Sequence, residues 1–177
     1  IFNQRSVDEI FSMLYQVAAM VGQAELGTQR LQAMRQSLQD IQATAAGFKR
    51  RPKVYFEEWD APHISCIRWV SELTHIAGGD DCFPQLAKMP MGKDRILPND
   101  QPIIDSAPDI IIGSLCGKKF RPDNVMARTG WQDIPAVRHK QIFEIKSADI
   151  LQPGPAALTD GVRQLHHIMQ QWEAQYA

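Results

Sequence analysis

Apolar residues along this chain recur with a helical period in some stretches and stand in short unbroken runs in others. Ile10, Phe11, Leu14, Val17, Ala18 and Val21 form one helical face. Ser6 is placed to cap this first helix, Glu9 stands at the capping-box spacing, and Gly22 ends it. A second helix, from Gln23 or Thr28 to about Gly47, carries Leu31, Met34, Leu38, Ile41 and Ala45 as its stripe. At 1.5 Å per residue it is roughly 30 Å long, enough to span a domain or bridge two. Val54, Tyr55 and Phe56 then form a β-prone run, and Glu57–Asp60 crowd charge and an aromatic where that strand should end. Ala61-Pro62 breaks the extension. From Ile64 the helical period returns with Ile67, Val70, Leu73 and Ile76, and Gly78-Gly79 stops it.

Residues 80–98 show three prolines and little periodicity and are expected to form a long irregular loop. Asn99 is placed to cap a short helix over 100–106, Asp109–Gly113 (DIIIG) reads as a buried strand, and Pro122–Arg128 as another short helix. Residues 130–137 are expected to be a turn region anchored by Trp131. Gln141–Ile145 is the next strand, residues 146–155 a loop, and Thr159–Tyr176 a final helix with Val162, Leu165, Ile168, Met169 and Trp172 inward. Alternating strands and helices imply a three-layer α/β fold with a mostly parallel sheet, preceded by the long helix. Ile1–Asn3 is expected to be the end of a further strand. In such sheets ligands lie beyond the carboxyl ends of the strands, which puts Glu57–His63 at the functional edge.

Composition narrows the function. The 177 residues suit one domain with a real core, and the net charge of −1 argues against a nucleic-acid partner. No apolar run approaches the ~20 residues of a membrane span. Cys66, Cys82 and Cys116 form no CxxC and no Cys/His set with zinc spacing, so no metal site is read. Cys66 falls on an apolar helix face as a buried thiol, with a Cys66–Cys82 disulfide as the alternative.

Among candidate chemical groups, Glu57 and Glu58 are adjacent on a strand, so they point to opposite faces and do not converge on one substrate. Cys116 with Gly117 offers a nucleophile without an identifiable histidine partner. His63 is a loop histidine, either a ligand to a metal-bearing guest or a solvated side chain. Trp59 offers a stacking surface, or packs in its loop. Lys118, Lys119 and Arg121 either meet anionic groups or stay solvated. No post-strand loop holds GxGxxG, a Walker pattern or GxSxG, which weakens the rival reading of a Rossmann-like enzyme on a small molecule. A sensor or receptor lobe is the other alternative.

The segments VYFEEWDAP, RWVSELTHIAGGDDCF, SAPDIIIGSLCG, GWQDIPAVRHKQIFEI and PGPAALTDGVRQL, in this order, resemble the C-terminal lobe of class III periplasmic substrate-binding proteins. These serve ABC importers of cobalamin, haem and ferric siderophores, and the likeness is greatest to the cobalamin-binding-protein-like branch. The resemblance implies a Rossmann-like lobe over 49–177, a connecting helical backbone over 23–48, and a remnant of a first lobe over 1–22, with the rest of that lobe upstream of Ile1. It implies a binding protein rather than an enzyme, periplasmic or lipid-anchored outside the cytoplasm. It needs no cofactor of its own, because the guest is the cobalamin or ferric chelate. Trp59, Asp60, His63, Trp69, Cys116, Gly117, Asp149 and Gln152 would line the ligand cleft. Asp100, at a short helix start, would dock on the membrane permease, although strict alignment puts Gln101 at the acidic position. Gln152 and Ala156 stand where relatives often have arginine.

Overall fold

The computed structural model describes residues 2–177. Two antiparallel-packed helices come first, α1 (Val7–Met20) and α2 (Ala24–Ala45). The Ser6–Glu9 capping box at the head of α1 is formed. Then follow β1 (Lys53–Asp60), β2 (His63–Ser65), α3 (Arg68–Ala77), β3 (Asp80–Asp81), α4 (Pro84–Ala87), α5 (Gln101–Ser106), β4 (Ile110–Gly113), α6 (Pro122–Met126), α7 (Pro135–Arg138), β5 (Ile142–Glu144), α8 (Ser147–Ile150) and α9 (Val162–Tyr176). β1 is the hub of the sheet. It runs parallel to β4, with Val54–Glu57 opposite Ile110–Gly113, and β4 runs parallel to β5. On its other edge β1 pairs in parallel with β3 at Lys53–Val54 and antiparallel with β2 at Glu57–Asp60.

Strand residues alternate between two apolar layers, as the two-residue period of a strand requires. Val54, Phe56, Ile110 and Ile112 face α1, α2, α3 and α9, where they meet Phe11, Leu38, Val70, Leu73, Leu165 and Met169. Tyr55, Ile111 and Ile142 face the other way, against Ile103, Val125, Trp131, Ile134 and Ala136. All of these core residues are less than a tenth exposed. The result is the three-layer α/β arrangement expected from the alternation of runs and periods.

The differences from expectation are local. β1 does not stop near Glu57 but runs to Asp60 and folds back through Ala61-Pro62, whose peptide bond is cis, into β2. Ile64, expected to open a helix, is therefore in an antiparallel strand, and α3 starts at Arg68. The apolar spacing from Ile64 to Ile76 thus runs across a strand and a helix rather than along one helix. Residues 80–98 are not a bare loop: they hold β3, α4 and a 3-10 turn over Gly92–Arg95. The loop over 146–155 contains α8, the turn region over 130–137 contains α7, and α9 is preceded by a π turn over Ala157–Gly161. Gly161 permits that turn, since a Cβ there would lie 2.5 Å from the Asp149 carbonyl oxygen. Ile1 lies outside the described residues, and Phe2 and Asn3 belong to no strand. All three cysteines are free thiols.

Candidate functional site

β1, β4 and β5 are parallel, so their carboxyl ends share one edge of the sheet. The connections leaving that edge carry most of the candidate residues. Gly113 ends β4 without a side chain because the Phe120 ring lies where its Cβ would be, 2.0 Å from that position. Phe120 turns the loop over 114–120 back on itself, leaving Cys116, Gly117, Lys118 and Lys119 exposed. Its backbone N–H donates to Glu144 at the end of β5, 3.0 Å away.

Lys118 joins this loop to the β1–β2 hairpin. Its ammonium donates to Asp60 at 2.6 Å and sits 5.8 Å from the centre of the Trp59 ring. Burial alone would raise the Asp60 pKa, but the hydrogen bond and charge of Lys118 hold it below the ordinary value. The Trp59 indole N–H donates to the Ala61 carbonyl, which fixes the ring across the hairpin. The hairpin that carries Trp59 and Asp60 is thus tied to the loop that carries Cys116 and Gly117. Gln152 is exposed beyond β5, and the Asp149 carboxylate receives a hydrogen bond from Gln164 on α9.

Two candidates, Trp69 and His63, sit differently from expectation. Trp69 is 5% exposed, and its indole donates to the Ile150 carbonyl at 2.9 Å, so it lies in the core and ties α3 to α8 rather than lining a cleft. His63 has both ring nitrogens against carboxylates, Nδ1 3.0 Å from Glu57 and Nε2 3.1 Å from Asp100. Asp100 uses its other oxygen to accept from the Trp131 indole at 2.8 Å, while its side chain stays 42% exposed.

Beneath the rim lies a buried polar cluster that residue pattern alone did not reveal. Glu57 is wholly buried and receives both guanidinium arms of Arg128, at 2.7 and 2.8 Å. The Tyr55 hydroxyl also donates to it, at 3.2 Å. Burial by itself would raise the Glu57 pKa, yet the hydrogen bonds from His63 and Arg128 outweigh it and the net direction is down. Burial and the adjacent carboxylate push Tyr55 well above its ordinary value. On the opposite face, as alternation requires, Glu58 binds both arms of buried Arg95, at 2.7 and 3.0 Å, and accepts from the Ile67 N–H at the head of α3. Arg95 also donates to the Ser65 carbonyl, so the segment over 82–98 is pinned to the hairpin. The only forewarning in sequence was two adjacent glutamates at a strand end.

A profile of the periplasmic binding proteins matches residues 1–148. The chain belongs to the periplasmic binding protein family. Its fold is shared with solved members at low identity. The ABC transporter substrate-binding protein from Listeria monocytogenes superposes with a TM-score of 0.78 at 12% identity, over 94% of this chain and 66% of that one. The periplasmic vitamin B12 binding protein BtuF of Vibrio cholerae gives 0.73 at 20% identity, over 98% and 65%. S. aureus IsdE, solved with heme, gives 0.77 at 16% identity, over 96% and 67%. This periplasmic binding protein chain therefore spans about two thirds of the length of these structures. No curated protein matches it. Among the described residues, no helix is long and apolar enough to cross a membrane and no cluster of three or more His, Cys, Asp or Glu side chains is placed to hold a metal.

A cavity of about 950 Å³ lies on the helical side, along α3. Phe11, Leu38 and Ile76 contribute apolar walls, and two ion pairs, Arg68–Glu72 and Arg35–Asp8, stand among its lining residues. None of the rim candidates lines it.

Proposed function

We propose that the chain is the ligand-capturing lobe of an ABC importer's substrate-binding protein, outside the cytoplasm, and that the strand-end rim is half of its grip. A complementary lobe would supply the other half, the long helix α2 would join the two, and a membrane permease would receive the loaded protein. The observation that carries this reading is the joining of the loops after β1 and β4 by the contacts of Lys118 with Asp60 and Trp59. Family membership supports the transport role. The vitamin B12 and heme binders among the solved relatives support a flat, metal-bearing guest of the cobalamin or ferric-chelate class.

Capture needs no bond-making. An aromatic face such as Trp59 removes apolar ligand surface from water, and polar groups such as Asp60 and Gln152 orient the guest. One lobe buries only one side of a ligand, so the isolated chain binds weakly and the two-lobed protein tightly. The test is an absorbance titration of both with cyanocobalamin, hemin and a ferric hydroxamate. Tight binding of one of these by the two-lobed protein, and weak binding by this chain, is the expected result. Equal tight binding by this chain alone contradicts the half-grip, and no binding of any of the three by the two-lobed protein contradicts the ligand class.

A further inference from the structure

His63 does not face open space. Its ring lies 5.6 Å from that of Trp131 and is wedged between two carboxylates from distant parts of the chain. Glu57 lies on β1, while Asp100 is the N-cap residue of α5 and makes no capping bond with its own side chain. Around this pair stand Tyr55 from β1 and Arg128 from the segment after α6, both bonded to Glu57, and Trp131, bonded to Asp100. We infer that His63 is a positioning residue, the bolt that fixes the β1–β2 hairpin to the head of α5. Glu57 and Asp100 are the two sockets, and Trp131 closes the assembly.

A carboxylate only accepts, and a neutral imidazole has one N–H. Each ring nitrogen faces a carboxylate oxygen at hydrogen-bond distance, so both contacts are hydrogen bonds only when both nitrogens carry a proton. In that form the ring holds two elements whose nearest covalent connection runs through the whole segment over 64–99. β1–β2 carries Trp59 and Asp60, so the same bolt that seats α5 also sets the angle of the rim's first wall. Its bearing on ligand capture rests on the function proposed above, whereas the bolt itself does not.

The test uses the ligand-free chain, so its outcome is independent of any guest. Hydrogen exchange at the Ile103 and Ile104 amides, which donate to the Asp100 carbonyl, reports on α5. His63→Phe keeps a ring and removes both donors, and Asp100→Ala removes one socket. His63→Phe should speed exchange at these amides about tenfold, a loss of one charge-assisted hydrogen bond's order, and Asp100→Ala, which also loses the Trp131 bond, at least as much. The double variant should match Asp100→Ala alone, because without Asp100 the ring holds only Glu57 and no longer reaches α5. Unchanged exchange in His63→Phe, or effects that multiply in the double variant, would overturn the bolt. If His63→Phe fails to fold, Asp100→Ala decides: unchanged exchange at the Ile103 and Ile104 amides overturns it.

Discussion

Replacing Arg128 by leucine tests the buried cluster most sharply. Glu57 is wholly buried and Arg128 is 17% exposed, so the pair sits nearly out of water. Removing one member of such a pair leaves an uncompensated charge and typically costs about 3–5 kcal/mol. Here the low end applies. Glu57 Oε2 keeps His63 and Tyr55, while Oε1 loses the Arg128 arm that bonds to it. A loss of about 3 kcal/mol corresponds to a fall of roughly 6–12 °C in Tm for a chain of this size. Urea unfolding at pH 7 measures the loss directly. The companion variant, Arg128→Leu with Glu57→Gln, removes the stranded charge and should be more stable than Arg128→Leu alone. The pH dependence carries a sign. Glu57 has a folded pKa below its ordinary 4.5, so its contribution is full above that value and is lost as the pH falls through the folded value. The gap between wild type and Arg128→Leu should therefore be widest near neutrality and close below about pH 4.5. A loss under about 1 kcal/mol, the scale of an exposed ion pair, would refute the reasoning.

Other expectations follow from single contacts. Gly113→Ala should destabilise by about 1–3 kcal/mol and disturb the loop over 114–120, since the Phe120 ring occupies the Cβ position; calorimetry and amide shifts of that loop check it. Ser6→Ala removes the α1 cap and should cost about 1 kcal/mol in urea unfolding. Iodoacetamide should label exposed Cys116 in the native chain, and label Cys66 and Cys82 only after unfolding, because burial pushes both of those thiols up, Cys82 to about 12; mass spectrometry reads the sites. Trp59→Ala should weaken ligand binding by the two-lobed protein at least about tenfold while leaving its Tm unchanged within error, as expected of a half-exposed contact residue.

How much was legible in the residues depends on the range of the interaction. Long periodic helices and the apolar strand runs are local signals, and the layers they predict are present. The hairpin was missed because β2 is three residues long and its Ile64 fits the helical period of α3 as well as it fits a strand. Trp59, Asp60 and Cys116 are placed at strand ends by chain order alone, so their gathering on one edge could be anticipated. The roles of His63, Trp69 and Asp100 could not. Each is decided by a partner 37 to 81 positions away, and nothing in a single sequence distinguishes an exposed loop histidine from one wedged between two carboxylates.

The central claim is that the strand-end rim is where the guest is gripped. Amide chemical-shift mapping of this chain with diamagnetic guests, cyanocobalamin and gallium-substituted porphyrin and hydroxamate, tests it even when binding is weak. Shifts should concentrate at residues 59–62, 116–119 and 148–152. Shifts confined to the cavity along α3, or no shifts with any guest at millimolar concentration, would contradict it.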